Sequence, residues 1–216
     1  MTDLRSRLRA VPTLTGSPPD WDPARSPDTP HELFVDWLLS AIDQDVPEPC
    51  ATTLSTVRAD GRPNARVLIL KNVTDDGWQF ASSSTSRKGE ELAASPYAAL
   101  TFYWIPIGRQ VRVTGRVRPA APEESAQDFL ARPVAARAEA LVGRQSAVLT
   151  DRAEIDVAVK EQQDRIAATP DLVAPNWTLY TLHADEVEFW QADPGRRHLR
   201  LQYRLDDTWT KELLWP

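Results

Sequence analysis

The sequence predicts an α+β fold, an antiparallel barrel or closed sheet with helices flanking it. Three observations carry this reading. Between Ala51 and Arg118, short alternating or β-branched runs are separated by turn signals. From Pro122 to Ala168 the apolar period changes to that of helices. After Pro170 and Pro175 the chain returns to strands, so strand-rich ends enclose a helical middle. The C-terminal strands then complete the first sheet.

Taken in order, residues 1–30 are rich in charge and in proline (Pro12, Pro18, Pro19, Pro23, Pro27, Pro30). That composition predicts an irregular arm, ordered against a partner surface. Residues 31–216 read as a single domain. Leu33, Phe34, Trp37, Leu38, Ala41 and Ile42 are spaced for an amphipathic helix over 31–42, started by Thr29-Pro30. Strands follow at 51–57, 63–72 and 78–82, joined by the turns Asp60-Gly61 and Asp75-Asp76-Gly77. A short helix over 86–94 is capped by Ser84 or Ser86. Strands at 97–104 and 109–118 flank Pro106-Ile107-Gly108. Helices are predicted at 122–131, 133–141 and 151–168, the last with Ile155, Val159 and Ile166 inward. The final strands fall at 177–183, 186–191, 199–204 and 209–214, with Asp206-Asp207 turning the last pair into a hairpin.

Hydrophobic residues make up 42% and charged residues 26% of the 216, as in a soluble globular chain. A net charge of −6 and the lack of a basic stripe argue against nucleic acid and anionic lipid as partners. No apolar run reaches the ~18 residues of a membrane span. The basic N-terminus lacks an apolar segment behind it, which excludes a signal peptide. Cys50 is the single cysteine, so a disulfide framework and a cysteine-based zinc site are excluded and a reducing cytoplasm fits. His31, His183 and His198 have no metal-ligand spacing.

Against this acidic background two cationic clusters stand out. Arg66-Val67-Leu68-Ile69-Leu70-Lys71 is a strand with a cation at each end. Ser86-Arg87-Lys88 places a hydroxyl and two cations in the first turn of a helix. Cations at a helix N-terminus oppose its dipole by ~0.3–1 kcal/mol, so two of them there favour a bound anion. Strand, turn, strand and helix start would bring both clusters to one end of the sheet, where free N–H groups and cations suit a phosphate.

These two motifs, with Gly108-Arg109-Gln110-Val111, Arg144-Gln145-Ser146, and Glu188-Phe189-Trp190-Gln191 followed by Arg196-Arg197-His198-Leu199-Arg200, resemble the FMN-dependent pyridoxine/pyridoxamine 5′-phosphate oxidase family. The ending Leu213-Leu214-Trp215-Pro216 is similar too, and the resemblance covers residues 31–216. It implies a split β-barrel, antiparallel and Greek-key-like, that binds FMN in the groove of a homodimer. By resemblance Arg66, Val67, Leu68, Lys71, Ala81, Ser82, Ser86, Arg87, Lys88, Gln110, Gln145, Ser146, Trp190 and Arg200 contact the cofactor, Gln145 and Ser146 from the partner subunit. Ala81 stands where the family often has Tyr, in a contact made by the backbone. Lys71, Asp128, Arg132, Ala136, Arg196 and His198 hold the substrate, with Arg196 and His198 at the reacting carbon. Arg196, His198 and Arg200 alternate on one strand face, where three cations would repel without a shared anion.

The pattern breaks at the substrate phosphate. The family combines Lys, Tyr, Arg and Ser there; this chain keeps Lys71 and Arg132 but has Asp128 for the Tyr and Ala136 for the Ser. A carboxylate ~4 Å from a phosphate charge costs about 4 kcal/mol per charge pair at an effective dielectric of ~20. Either Asp128 points away or the substrate is not a pyridoxine phosphate. The leading expectation is oxidation of pyridoxamine or pyridoxine 5′-phosphate to pyridoxal 5′-phosphate with oxygen as acceptor. The alternatives are a related flavin oxidase of another small molecule, such as a phenazine precursor, and a non-catalytic flavin-binding protein.

Overall fold

A computed structural model describes residues 3–216. Its strands are β1 (Ala51–Val57), β2 (Pro63–Thr74), β3 (Gly77–Ser83), β4 (Tyr97–Trp104), β5 (Arg109–Pro119), β6 (Trp177–Gln191), β7 (Leu199–Leu205) and β8 (Trp209–Leu213). Its α-helices are α1 (Leu4–Ala10), α2 (Pro30–Asp43), α3 (Arg87–Ala94), α4 (Pro122–Leu130), α5 (Val134–Val142) and α6 (Ala153–Ala168). The strands form one sheet in the order β3-β2-β1-β4-β5-β6-β7-β8, and a β3–β6 ladder closes the first six into an antiparallel barrel. The predicted α+β barrel with flanking helices is therefore the fold.

Contacts gather the chain into two units. The first comprises the segment ending at Thr53 with Leu100–Thr114 and Ala184–Pro216; the second comprises Leu54–Ala99 and Gly115–His183. In the first, α2 lays Phe34 and Trp37 inward. Phe34 meets Phe102 edge-on at 4.9 Å, Trp37 meets Phe189 at 5.2 Å, and Phe189 meets Tyr203 at 5.7 Å. Such edge-to-face pairs add to what area burial supplies. In the second unit, Trp78, Phe80, Phe129 and Leu182 are fully buried, and Phe80 stacks on Tyr180 at 5.5 Å. The β3–β6 ladder runs from Trp78 opposite Leu182 to Ser83 opposite Trp177. Strand β3 begins at Gly77, whose φ of +142° and whose Cβ position, hard against the Leu182 carbonyl oxygen, admit only glycine.

Three expectations change. The two strands read at 177–183 and 186–191 are one, because β6 pairs with β3 through Leu182 and with β7 from Glu186 onward. In α6, Ile166 is buried as expected, but Ile155 is 44% exposed while Gln162 is buried. The N-terminal arm has its own order within the chain. It starts with α1, capped by Asp3, and has a 3-10 turn at Pro23–Arg25. Lys211 on β8 donates to the Ser26 and Pro27 carbonyls and lies 3.0 Å from Asp28; the Tyr203 hydroxyl donates to the Pro27 carbonyl at 2.7 Å.

Candidate functional site

The candidate residues divide between the units. In the second, Arg66 and Val67 on β2, Arg87 and Lys88 at the start of α3, and Gln145 with Ser146 line one cavity of about 380 Å³. The local sequence explains how. Ser86 is buried and caps α3 by accepting from the Gly89 N–H at 3.3 Å, while its own hydroxyl donates to the Ser83 carbonyl at 2.7 Å. That turn presents Lys88, whose Nζ donates to Ser86 Oγ at 3.3 Å and to Gln145 Oε1 at 3.2 Å. Ser82 Oγ reaches the same Gln145 oxygen at 3.4 Å. Gln145 and Ser146 thus stand beside Lys88 of their own chain, and Ser146 is held in the left-handed region at φ 70°. Desolvation, and then the charge of Arg66, hold the Lys88 ammonium below its ordinary value. Leu68 and Ala81 are half-buried on β2 and β3.

Behind the cavity stands Glu91, which sequence reasoning assigned no role. Its side chain is 9% exposed. It accepts from Thr56 Oγ1 at 2.5 Å, Asn64 Nδ2 at 2.8 Å and Arg66 Nη2 at 2.9 Å. Arg66 also donates to Thr56 Oγ1 and to the Leu54 carbonyl. Burial alone would raise the Glu91 carboxyl, but the hydrogen bonds from Thr56, Asn64 and Arg66 outweigh it and hold it below the usual carboxylate range. Only its acidic character one turn into α3 was visible in the sequence.

Lys71, at the far end of the β2 motif, is not free. Its Nζ lies 3.3 Å from Asp128 Oδ1 on α4, and the Trp177 indole N–H donates to Asp128 Oδ2 at 2.8 Å. Arg132 lies over the Trp177 ring at 4.0 Å, and its Nη1 is buried without a hydrogen-bond partner. Desolvation lowers the Arg132 guanidinium from its ordinary value. Asp128 therefore points at Lys71 rather than away from it. Ala136 is half-buried on α5.

In the first unit, Arg196 and His198 precede β7, so only Arg200 of the three expected cations lies on the strand. Arg196 adopts φ 67° in a turn closed by its N–H on the Asp193 carbonyl at 2.9 Å. His198 Nδ1 accepts from the Asp193 N–H at 3.1 Å, and its ring lies 4.8 Å from that of Trp190. Arg200 stands opposite Trp190 in the β6–β7 ladder. Its Nε donates to Glu188 Oε1 at 2.9 Å and its Nη1 to the Trp215 carbonyl at 2.8 Å. Glu188 is buried and also pairs with Arg112. Burial would raise Glu188, but hydrogen bonds from Arg200 and Arg112 outweigh it and lower its pKa. The like-charge repulsion expected around Arg200 is thus relieved inside the chain by Glu188, a residue of the quoted motif whose role had no sequence signal. Gln110 is half-buried on β5 beside Arg109. The buried Arg109 donates to Gln191 Oε1 at 2.8 Å, and desolvation lowers it to about 10.

Fold and site together define a closed antiparallel barrel bearing a cavity lined by cations and amide and hydroxyl donors, suited to an anionic ligand. Comparisons with known proteins agree. Residues 38–165 match the family model for pyridoxamine 5′-phosphate oxidase, and residues 177–216 match the C-terminal dimerisation region of pyridoxine 5′-phosphate oxidase. A pyridoxine/pyridoxamine 5′-phosphate oxidase of Pseudomonas syringae pv. syringae is 41% identical over 196 residues, 89% of this chain and 91% of the relative. One from Burkholderia orbicola is 41% identical over 199 residues, 90% of this chain and 92% of the relative. The crystal structure of PhzG from Burkholderia lata 383, in complex with tetrahydrophenazine-1-carboxylic acid, superposes with a TM-score of 0.86 at 32% identity, over 93% of this chain and 100% of that one. The chain belongs to the pyridoxamine 5′-phosphate oxidase family and is an oxidoreductase of that family. Among the described residues no helix is long and apolar enough to cross a membrane, and no acidic, histidine or cysteine cluster could hold a metal ion.

Proposed function

We propose that the protein is an FMN-dependent oxidase that removes a hydride from a small ring-bearing amine or alcohol and passes the electrons to oxygen. The observation that carries this reading is the cavity lined by Arg66, Arg87, Lys88, Gln145 and Ser146. Its cations and neutral donors fit the phosphate and polar tail of FMN, each charge-assisted hydrogen bond contributing ~1.5–3 kcal/mol. FMN when bound supplies the hydride acceptor. The chain's part is to hold and orient. Ser82, Ser86, Arg66 and Lys88 anchor the phosphate end; Gln110, Trp190 and Arg200 contact the rest of the cofactor. Arg196 and His198 hold the reacting end of the substrate, with the His198 ring fixed by the Asp193 N–H. The dimerisation-region match supports a homodimer, and the single cysteine suits the cytoplasm.

Pyridoxamine and pyridoxine 5′-phosphate are the substrates that the names of the relatives supply. One observation favours a second reading, a different small molecule. Asp128 sits on Lys71, where a ligand anion would be expected. The experiment is anaerobic. The yellow protein is mixed with pyridoxamine 5′-phosphate and the visible flavin band is followed. Bleaching that recovers in air supports oxidation of the phosphorylated vitamer. A band that persists with this compound, but bleaches with another ring amine or alcohol, supports the second reading. A colourless protein that does not take up FMN would refute the cofactor assignment.

A further inference from the structure

We infer that Asp128 is a specificity-determining residue: it supplies from inside the chain the negative charge that Lys71 would otherwise take from a ligand, so the corner built by Lys71, Asp128, Arg132 and Trp177 accepts a substrate end that is neutral or a single carboxylate and disfavours a phosphate monoester. This rests on reading the chain as a flavin oxidase with a small-molecule substrate at Lys71.

Three features carry it. The first is that the carboxylate is held at both oxygens. Oδ1 lies 3.3 Å from Lys71 Nζ, and Oδ2 accepts from the Trp177 indole N–H at 2.8 Å. A group tethered at both ends does not swing aside at no cost. Trp177 is itself pinned, edge-on against Phe129 at 5.8 Å and beneath Arg132. The second is the charge balance. Lys71 and Arg132 bring two positive charges; Asp128 brings one negative beside Lys71, and Glu139 a second that acts on Arg132, so the corner is balanced inside the chain. A phosphate monoester carries about −1.5 to −2 near neutral pH and overshoots that balance. A single carboxylate overshoots it by less than a phosphate does, and a neutral hydroxymethyl group leaves the Lys71–Asp128 pair undisturbed. The third is the open donor. Arg132 Nη1 is buried and unpartnered, while its guanidinium plane is fixed over Trp177. One planar acceptor would satisfy it, and a carboxylate oxygen has that geometry. A phosphate drawn to the same donor would meet the Asp128 oxygens, which Lys71 and Trp177 hold in place.

The test is an equilibrium titration of the FMN-loaded protein with pyridoxamine and with pyridoxamine 5′-phosphate, read by the flavin difference spectrum. Wild type is compared with Asp128→Asn, which keeps an acceptor for Trp177 and removes the charge. The quantity read is the preference for the phosphorylated over the unphosphorylated compound. A rise in that preference of about tenfold or more in the variant is expected, one like-charge contact having been removed. A smaller rise, or no response to either compound in both proteins, would overturn the inference. If Asp128→Asn does not fold, Asp128→Ser is read by the same criterion. Failure of the underlying flavin reading looks different, since the protein would then take up no FMN and give no visible band to perturb.

Discussion

Replacing Glu91 by glutamine tests how the cavity cations are held. The carboxylate has three hydrogen-bond donors within 2.9 Å, from Thr56, Asn64 and Arg66, and Arg58 lies at 4.0 Å. An amide keeps one acceptor and turns an NH₂ group toward donors that need an acceptor. Breaking a fully buried ion pair costs about 3–5 kcal/mol. Arg66 is 20% exposed and keeps Thr56 and the Leu54 carbonyl as partners, so the expected loss is smaller, about 2–3 kcal/mol, near that of one charge-assisted bond. Urea unfolding near pH 7 measures it. Acid supplies an internal control. The folded-state pKa of Glu91 lies below its ordinary value of 4.5. Its stabilisation is therefore present above that value and is lost as pH falls through the depressed folded value. The gap between wild type and Glu91→Gln should shrink as the pH falls below 4.5 and through the depressed folded value. A gap under about 0.5 kcal/mol near neutrality, within the range of an ordinary surface substitution, would refute the reasoning. So would a gap that acid leaves unchanged.

Other outcomes are expected. Lys88→Ala should weaken FMN binding by about ten- to a hundredfold in a fluorescence-quenching titration, the equivalent of one charge-assisted contact; unchanged affinity would remove Lys88 from the phosphate site. Arg196→Ala should lower steady-state turnover with FMN affinity within about threefold of wild type, since a contact made to substrate alone leaves cofactor binding near the sub-kcal/mol level; equal loss of both would sink its assignment to the substrate. Gly77→Ala should destabilise by about 1–3 kcal/mol in thermal unfolding, because alanine is strained at φ +142° and its Cβ would meet the Leu182 carbonyl; a wild-type melting temperature would count against the tight β3–β6 contact.

The barrel was legible because alternation is a local property. The β5 strand buries Arg109, Val111, Val113, Gly115 and Val117, every second position, and the sequence shows that period directly. The β6 strand was read as two because His183-Ala184-Asp185 interrupts the apolar run, whereas the ladder only changes partner there. The α6 helix misled because its apolar residues were assumed to point inward, yet Ile155 lines an open cavity and Gln162 takes a buried place. Arg66 and Lys88 line one cavity, in keeping with the strand, turn, strand and helix start that the sequence shows; Gln145 and Ser146, which the resemblance assigned to the partner subunit, line it from the same chain. Their anionic counterparts were not legible. Glu91, Asp128 and Glu188 find their arginine or lysine only after strands and helices have folded over one another, and nothing in the local pattern separates them from solvated acids. For Asp128 the sequence left two orientations open, and the ion pair with Lys71 selects one.

The clasp between the arm and the last hairpin has a consequence for synthesis. Its hydrogen bonds join residues 176, 184 and 185 positions apart, Tyr203 and Lys211 to Ser26 and Pro27. The arm leaves the ribosome before this hairpin, yet its acceptors lack these donors until β7 and β8 have been made. Contacts of such long sequence separation carry a large loop-closure cost and form slowly. During that interval the segment around Ser26 and Pro27 lacks these contacts and is open to solvent and to proteases. Protection of the arm from cleavage would therefore serve as a clock for completion of the chain's final hairpin.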